Sequence, residues 1–285
     1  MKTLKAQITR DSNLFLAGDF HAGAAHLHES GLDQLIEDVK GEYEGLPAAN
    51  NFLVLHGDLI EAISIDDPRF CLESAAETDI LNQIDYIVSK LYPVKDKIVC
   101  SLQGNHELKR HRFGDISKKI CQRLQCPYGT YTALISYYDE DGKFMWNHFA
   151  THGSRQISSS ADDPVRRDAN LLLTLKRHLK RKVSAYLMSK AHTHKLLVCK
   201  PNSELYLDLA GGKIVKKQTH DTTQHPTGYL HWDYRWYVNT GSFLRLYVDG
   251  ISGYAERGEY DPQELGYAVA LIRDGEIKDI KKVEV

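Results

Sequence analysis

Residues Asn13–His21 read NLFLAGDFH, a short apolar run that ends in a polar cluster. The run is typical of a buried β-strand, and Asp19 and His21 alternate, so both side chains can face one side of an extended strand end. The same order recurs in FLVLHGD at Phe52–Asp58 and in IVCSLQGN at Ile98–Asn105. Each segment predicts a buried strand that delivers a metal-type side chain at its carboxyl end.

The segments between these strands predict helices. Leu32–Tyr43 and Ala75–Leu91 carry apolar residues at helical spacing. The chain up to Glu107 therefore follows a β-α-β-α-β order, which predicts a parallel sheet. Open sheets of this kind place their sites at the carboxyl ends of the strands.

The C-terminal half follows a different pattern. Tyr131–Tyr137 and Lys143–Ala150 flank the turn sequence DEDG, which indicates a β-hairpin, and a helix is expected at Val165–Lys182. We expect these segments to belong to a second, mostly antiparallel sheet. Its other strands are expected at Val183–Met188, Leu196–Lys200, Leu205–Leu209, Tyr234–Asn239, Phe243–Val248 and Tyr267–Ile272.

These patterns predict an α/β protein with a four-layer α-β-β-α sandwich, in which two mixed sheets stack and helices cover the outside. No linker composition interrupts the chain, so residues 1–285 are interpreted as a single domain. The segment 211–231 is rich in Gly, Thr, Lys and His, and it is expected to be a loop excursion.

Composition and charge argue against several classes of protein. The chain is 42% hydrophobic and 26% charged, and its formal net charge of −2 is not that of a protein that coats nucleic acid through overall basicity. Five cysteines without a CxxC motif favour reduced thiols over disulfides or a cysteine zinc site. The N-terminus lacks an apolar signal region, and no stretch approaches the roughly 18 apolar residues of a membrane span. We therefore expect a cytoplasmic protein with no membrane partner.

Five polar clusters at nearly even intervals share ligand chemistry. Their Asp, Asn and His side chains suit divalent metals, which take oxygen and imidazole ligands. One such cluster alone is as readily a surface feature, whereas five in order after apolar strands indicate a metal site. The clusters are GDFH at Gly18–His21, GDLIE at Gly57–Glu61, GNHE at Gly104–Glu107, THG at Thr151–Gly153 and HTH at His192–His194.

In this order the clusters resemble the motifs of the calcineurin-like metallophosphoesterases, and the resemblance extends from Asn13 to Ser242. GNHELKR, PYGTYTALI, AHTHK, NTGSF and YAERGEY are similar to features of a bacterial and phage branch of that family. Two positions depart from the family pattern. Ala191 replaces the Gly that usually begins the last motif, and Ala62 stands where protein phosphatases of the family carry an Arg. The second departure argues against a protein phosphatase.

The resemblance implies two divalent metal ions, with Asp58 bridging them and a hydroxide between them as the nucleophile. Mixed oxygen and nitrogen ligands favour manganese, with iron, zinc and magnesium as alternatives. The implied ligands are Asp19, His21, Asp58 and His194 for the first ion, and Asp58, Asn105, His152 and His192 for the second.

The resemblance also implies two catalytic residues that are not metal ligands. His106 would act on the leaving-group oxygen, either as a proton donor or as a charge stabiliser. Glu61 would fix the tautomer and the ring orientation of His106. The role of Glu107 stays open, and a local structural hydrogen bond is at least as good an interpretation.

Basic side chains are the candidate substrate contacts. Arg110, Arg112 and Arg155 are expected to contact phosphate, because a guanidinium can form two hydrogen bonds to one phosphate group. The helix at Arg166–Lys182 carries seven Lys or Arg residues. A solvated amphipathic helix is the simpler interpretation, and a contact with a nucleic-acid backbone is the alternative.

Together these features predict a metal-dependent phosphoric ester hydrolase. The first hypothesis is a phosphodiesterase or nuclease that acts on nucleotides, DNA or RNA. One alternative is a phosphomonoesterase that acts on a small phosphorylated metabolite. A second alternative is a metal-stabilised binding subunit that has lost catalysis.

Overall fold

A computed structural model describes residues 1–63, 65, 67, 70–110, 114–202, 204–218 and 228–285. These residues form thirteen strands and six helices. In chain order the strands are β1 (Lys2–Gln7), β2 (Ser12–Ala17), β3 (Asn51–Leu55), β4 (Ile98–Ser101), β5 (Thr132–Tyr138), β6 (Phe144–Thr151), β7 (Leu187–Lys190), β8 (Leu196–Cys199), β9 (Leu205–Ala210), β10 (Lys213–Gln218), β11 (Trp236–Thr240), β12 (Gly266–Arg273) and β13 (Glu276–Glu284). The helices are α1 (Glu29–Lys40), α2 (Ile80–Leu91), α3 (Asn105–Leu108), α4 (Ile116–Leu124), α5 (Pro164–Leu179) and α6 (Tyr254–Arg257).

Two large sheets contain every one of these strands except β9 and β10. The five-stranded sheet has the order β13-β12-β2-β3-β4, in which β2, β3 and β4 are parallel. The six-stranded sheet has the order β1-β5-β6-β7-β11-β8, with three parallel and two antiparallel strand pairs. The prediction that this second sheet is mostly antiparallel was wrong. Helix α5 returns the chain from the end of β6 to the start of β7, which makes that pair parallel.

The two sheets pack face to face. Leu16 and Val54 of the five-stranded sheet belong to the same buried cluster as Ile135 and Val238 of the six-stranded sheet. Strand side chains alternate between the faces of a sheet, so Phe15, the neighbour of Leu16, points to the opposite side. The inner faces of the sheets therefore form one continuous apolar core.

Helices cover both outer faces. Phe15 packs in a cluster with apolar residues of α1, α2 and α4, including Leu35 and Ile84. On the far side, Phe149 of β6 packs with Leu175 of α5. The predicted four-layer α-β-β-α sandwich is confirmed, because each layer is present and each interface is apolar.

Side-chain caps define where the longer helices begin. Asp79 accepts a hydrogen bond from the backbone of Leu81 at the start of α2, and Asp163 does the same for Arg166 at the start of α5. Pro164 occupies the first position of α5. Proline has no backbone N–H group, and at this position the N–H group would have no partner within the helix, so no hydrogen bond is lost. None of the described helices combines the length and the apolar composition needed to cross a lipid bilayer.

Several segments differ from the sequence-based expectation. Strand β13 was not predicted, and Tyr267–Ile272, expected in the second sheet, belongs to β12 of the five-stranded sheet. Phe243–Val248 is not a strand; its backbone instead pairs with the loop after β2, for example through Phe243 N to Asp19 O at 3.0 Å. Strand β1 was not predicted, because its charged and mostly exposed residues lack an apolar run. Residues 213–218, expected to be loop, form β10 and pair with β9 in a separate exposed hairpin. The rest of the expected excursion includes 219–227, which lies outside the described residues.

Candidate metal centre

The candidate site residues lie at the carboxyl ends of strands from both sheets. β2, β3 and β4 end beside one another in the five-stranded sheet, and β6 and β7 do so in the six-stranded sheet. Because the sheets stack, the loops after these strands meet at one edge of the sandwich. These loops, with the start of α3, carry Asp19, His21, Asp58, Glu61, Asn105, His106, His152, His192 and His194.

Among the described residues, three groups of side chains could each hold a metal ion; one consists of His21, Glu61 and His106, and the other two consist of candidate ligands alone. Each residue of a group offers one ligand atom, and the atoms of a group lie within 4.8 Å of one another. Of the two ligand groups, the first consists of Asp19, His21 and His194, and the second of Asp58, His152 and His192. These two groups coincide with the ligand sets that the resemblance implies, apart from Asn105 and the bridging role of Asp58.

Asn105 lies beside the second group and, like its member Asp58, contacts His152. The Oδ1 atom of Asn105 lies 2.9 Å from His152 Nε2, and Asp58 Oδ2 lies 3.3 Å from the same nitrogen. The other ring nitrogen of His152 lies 2.7 Å from the carbonyl oxygen of His56, which fixes the orientation of the ring. Asp58 Oδ1 accepts a hydrogen bond from the backbone of His106 at 2.8 Å. The loops after β3, β4 and β6 are thereby joined at one point.

The first group contains a carboxylate oxygen without a hydrogen-bond partner among the described residues, and its ion-pair neighbour, His152 Nδ1, lies 3.9 Å away. Asp19 Oδ2 accepts a hydrogen bond from the backbone of His192 at 2.8 Å, whereas Asp19 Oδ1 is buried and has no hydrogen-bond partner among the described residues. His21 Nε2 lies 3.2 Å from His194 Nε2, so two ring nitrogens face each other. A buried carboxylate oxygen and facing imidazole nitrogens are places where a cation replaces missing hydrogen bonds.

Backbone strain is concentrated at the candidate ligands. Five of them adopt the left-handed conformation, with φ between 48° and 73°, although none is glycine. Such residues cost of order 1–3 kcal/mol each and persist where the surrounding structure enforces them. They are Asp19, His21, Asp58, His192 and His194.

Burial and charge shift the pKa values of the ligands in opposite directions. Burial, followed by the Asp58 carboxylate, raises the pKa of Asp19 to about 7, although the His152 charge opposes the shift. Burial lowers the pKa of His152, but the carboxylates of Asp58 and Asp19 outweigh it and raise this pKa to about 9. Burial, and then the His152 charge, lowers the pKa of His192 to about 4. Carboxylate, amide and imidazole donors without a thiolate fit a hard or borderline divalent metal. The positive charge of such an ion would take the place of protons on these side chains.

Glu61 contacts both His21 and His106, but in different ways. Its carboxylate oxygen Oε2 lies 2.7 Å from His21 Nδ1 and 3.7 Å from His106 Nδ1. His106 Nδ1 lies 2.5 Å from the backbone carbonyl oxygen of Glu61, so the backbone rather than the carboxylate sets the His106 tautomer. Burial is the main cause of a lowered pKa of His106.

Glu107 holds the loop that carries Asp58. Its carboxylate accepts hydrogen bonds from the backbone N–H groups of Asp58 at 3.2 Å, Leu59 at 2.6 Å, Ile60 at 3.4 Å and Gly104 at 3.0 Å. Burial, and then the charge of Asp58, raises its pKa to about 7. The contacts favour a structural role for Glu107. The role is wider than a local hydrogen bond, because the carboxylate links two loops.

A cleft of about 270 Å³ opens over the second group of ligands. Outside the candidate ligands and His106, side chains from five separate segments line it. They are Lys109, Gln156, Thr193, Leu246, Tyr260 and Gln263. Sequence reasoning missed Gln156, Leu246 and Gln263, because they belong to no motif.

Neither Arg110 nor Arg155 lines this cleft. Arg110 donates to the carbonyl oxygen of Ala62 at 2.6 Å and forms an ion pair with Asp67 at 2.9 Å, so it holds the loop after Glu61. Arg155 lines a neighbouring pocket. Arg112 lies outside the described residues.

The chain was compared with known proteins. No family model matches it, and no curated protein matches it either.

Proposed function

We propose that this protein is a metal-dependent phosphoesterase that uses two divalent ions to hydrolyse phosphodiesters of nucleotides or nucleic acids. Manganese is the first candidate for the ions. The observation that carries the proposal is the pair of buried ligand groups that meet around Asp58 and Asp19 at one edge of the two sheets. Six residues from four separate loops converge there, and five of them adopt strained backbone conformations, which a merely structural role does not require.

Two divalent ions bound there would lower the pKa of a water molecule and stabilise the negative charge that develops on a phosphate. The side chains of the cleft complement that chemistry. Lys109 supplies a positive charge for a phosphate oxygen, and Gln156 supplies an amide donor. The His106 imidazole lines the same cleft, with Nδ1 held by a carbonyl oxygen, so it can exchange a proton with an ester oxygen through its other nitrogen.

The cleft favours a diester over a monoester. A phosphate monoester carries a charge of about −1.5 to −2 at pH 7, whereas a diester has lost one ionisable oxygen. Among the described residues that line the cleft, Lys109 is the single Lys or Arg. Leu246 and Tyr260 provide apolar surface for the second ester group. Ala62, where protein phosphatases of the resembled family carry Arg, supplies no further cation.

A panel assay with the manganese-loaded protein tests the proposal. We expect faster turnover of an activated diester than of an activated monoester, and activity on at least one of a cyclic nucleotide, single- or double-stranded DNA, or RNA. Preference for the monoester would support the phosphomonoesterase alternative. A metal-loaded protein that hydrolyses none of these esters would overturn the proposal.

Replacement of His106 separates an enzyme from a binding subunit. We expect His106→Ala to lower kcat by about 10²–10⁴-fold, the usual contribution of a general acid or base, while the metal content stays the same. His231→Ala, at a partly exposed histidine, is the matched control. Activity that is unchanged in His106→Ala removes this residue from the mechanism.

A further inference from the structure

A second pocket is lined in part by the loop that also borders the cleft. It has a volume of about 420 Å³ and is formed by the ends of β6 and β7, the last turn of α5 and the loop after His152. Within that loop, Ser154 and Arg155 line this pocket, whereas Gln156 lines the cleft. The two cavities are therefore lined by neighbouring residues of one loop. We name this cavity, lined by Arg155, His178, Lys182 and Lys190, the cationic pocket.

Lys190 is the buried member of the pocket. The residue is 2% exposed, and its Nζ donates a hydrogen bond to the carbonyl oxygen of Arg155 at 2.7 Å. Its stem passes over Gly153, where an added Cβ would lie 2.7 Å from Lys190 Cε. No carboxylate is among the described residues that line the pocket. A buried ammonium group that faces a cavity without a carboxylate has donor capacity for an anion.

The surroundings of His178 also indicate a positive potential. Its Nδ1 atom is buried and has no hydrogen-bond partner among the described residues. Burial, and then the charges of Lys190 and Arg155, lower the pKa of His178. Arg177 contributes to the same shift. Several cations thus act on one small region.

Three lysines of α5 and its C-terminal extension differ in their surroundings. Lys176 forms an ion pair with Asp233, and Lys180 lies over the ring of Trp232 at 5.0 Å, so these cations have partners elsewhere. Lys182 lines the cationic pocket instead. Basic residues near a helix C-terminus also offset the helix dipole, but Lys190 and Arg155 belong to other elements, so the dipole does not account for them.

We infer that the cationic pocket binds a second phosphate group of the substrate whose scissile phosphate lies at the metal centre. The inference rests on the proposed function and names a substrate class, an ester with more than one phosphate. A nucleic-acid strand repeats a negative charge every 3.4 Å or so along its axis, so a strand that crosses the loop at 154–156 presents phosphates to both cavities. A dinucleotide that also carries a terminal phosphate has the same chemistry.

The kinetic test compares substrates that differ in the number of phosphates. The manganese-loaded protein is assayed with an activated diester of one phosphate, a dinucleotide with a 5′-terminal phosphate, and a ten-nucleotide DNA strand. In Lys182→Gln and Lys190→Met, we expect the ratio of KM for a multiphosphate substrate to KM for the one-phosphate ester to rise about tenfold. Lys143→Gln, at an exposed turn, is the charge-matched control, and its ratio should equal that of the wild type. A rise only with the phosphorylated dinucleotide identifies a small substrate, and a rise with the DNA strand identifies a polymer.

A binding test keeps the result independent of catalysis. Anisotropy of a labelled DNA strand is measured with the full chain at several salt concentrations. Loss of one phosphate contact should reduce the slope of log K against log[salt] by about 0.7, and a lysine that only holds the loop should leave the slope unchanged. If the slope is reduced in Lys182→Gln but the wild-type protein hydrolyses none of the esters, the pocket binds phosphate and the proposed function is wrong. An unchanged slope and an unchanged KM ratio in both pocket variants, in an active enzyme, would overturn the pocket alone.

Discussion

The Glu61 carboxylate lies 2.7 Å from Nδ1 of His21, and both residues are buried. Burial lowers the pKa of His21, but the neighbouring carboxylates, that of Glu61 first, outweigh it and raise this pKa to about 9. The contact places a proton on Nδ1 and turns Nε2 towards His194. An imidazole held in this way is a better metal ligand, because its tautomer and ring orientation are already fixed.

Replacement of Glu61 with glutamine should therefore weaken metal binding. We expect Glu61→Gln to lower manganese affinity by about 10–100-fold, the usual effect of removing a partner that orients a metal-bound histidine. Calorimetric titration of the metal into the metal-free protein measures the affinity. Glu73→Gln, an exposed carboxylate, is the control. Unchanged affinity together with a reduced kcat would instead support the sequence-based prediction that Glu61 acts on His106.

Metal binding should stabilise the fold. Asp19 and Asp58 are buried carboxylates in one site, and Asp19 Oδ1 has no hydrogen-bond partner among the described residues, so a divalent ion removes an unfavourable interaction. At a free metal concentration of 100 times Kd, the gain in unfolding free energy is about 2.7 kcal/mol. Thermal unfolding across a manganese titration measures it. The upward shift of the unfolding midpoint should be smaller in Asp58→Asn. A wild-type midpoint that does not change with manganese concentration would contradict a metal site.

The positions of the candidate ligands could be predicted from the sequence because two local rules suffice. A short apolar run indicates a buried strand, and the residue just after it lies at the edge of the sheet. Asp19 and Asp58 both follow such runs in neighbouring parallel strands, so their proximity needs no knowledge of distant parts of the chain.

Other features could not be predicted, because they depend on which distant segments meet. Arg110 looked like a phosphate contact, yet it contacts Ala62 and Asp67, 48 and 43 residues away. Strand β1 has charged and exposed residues, and it exists because it pairs with β5 across a long interval of sequence. The cationic pocket likewise combines Lys182 and Lys190 with a loop that carries no motif.

Glu107→Gln should destabilise the protein. The carboxylate accepts hydrogen bonds from four backbone N–H groups, and the amide nitrogen of glutamine is a donor that cannot accept any of them. The loss should cost about 1–3 kcal/mol of unfolding free energy, as for buried polar groups left without a partner. Urea unfolding of the metal-free protein measures the change, with Glu42→Gln at an exposed site as the control. Equal stability of the two variants would show that the link between the loops is dispensable.

The buried histidine His148 should make stability depend on pH. Its Nε2 lies 2.6 Å from the hydroxyl oxygen of Ser189, and burial, with the charge of His56 second, holds its pKa well below the usual 6.5. The unfolded chain therefore binds a proton at His148 below about pH 6.5 that the folded protein does not bind. This contribution to stability is fully present above pH 6.5 and is lost as the pH falls towards the folded pKa.

Replacement of His148 tests this pH dependence. Between pH 6.5 and 5, the unfolding free energy of the wild type should fall with a slope that is steeper, by up to about 1.4 kcal/mol per pH unit, than that of His148→Gln. Urea unfolding of the metal-free proteins at a series of pH values gives both slopes, because removal of the metal excludes proton competition at its ligands. His231→Gln, at a partly exposed site, should retain the slope of the wild type. Parallel curves for the wild type and His148→Gln would mean that His148 carries a proton in the folded protein, against its burial and its contact with Ser189.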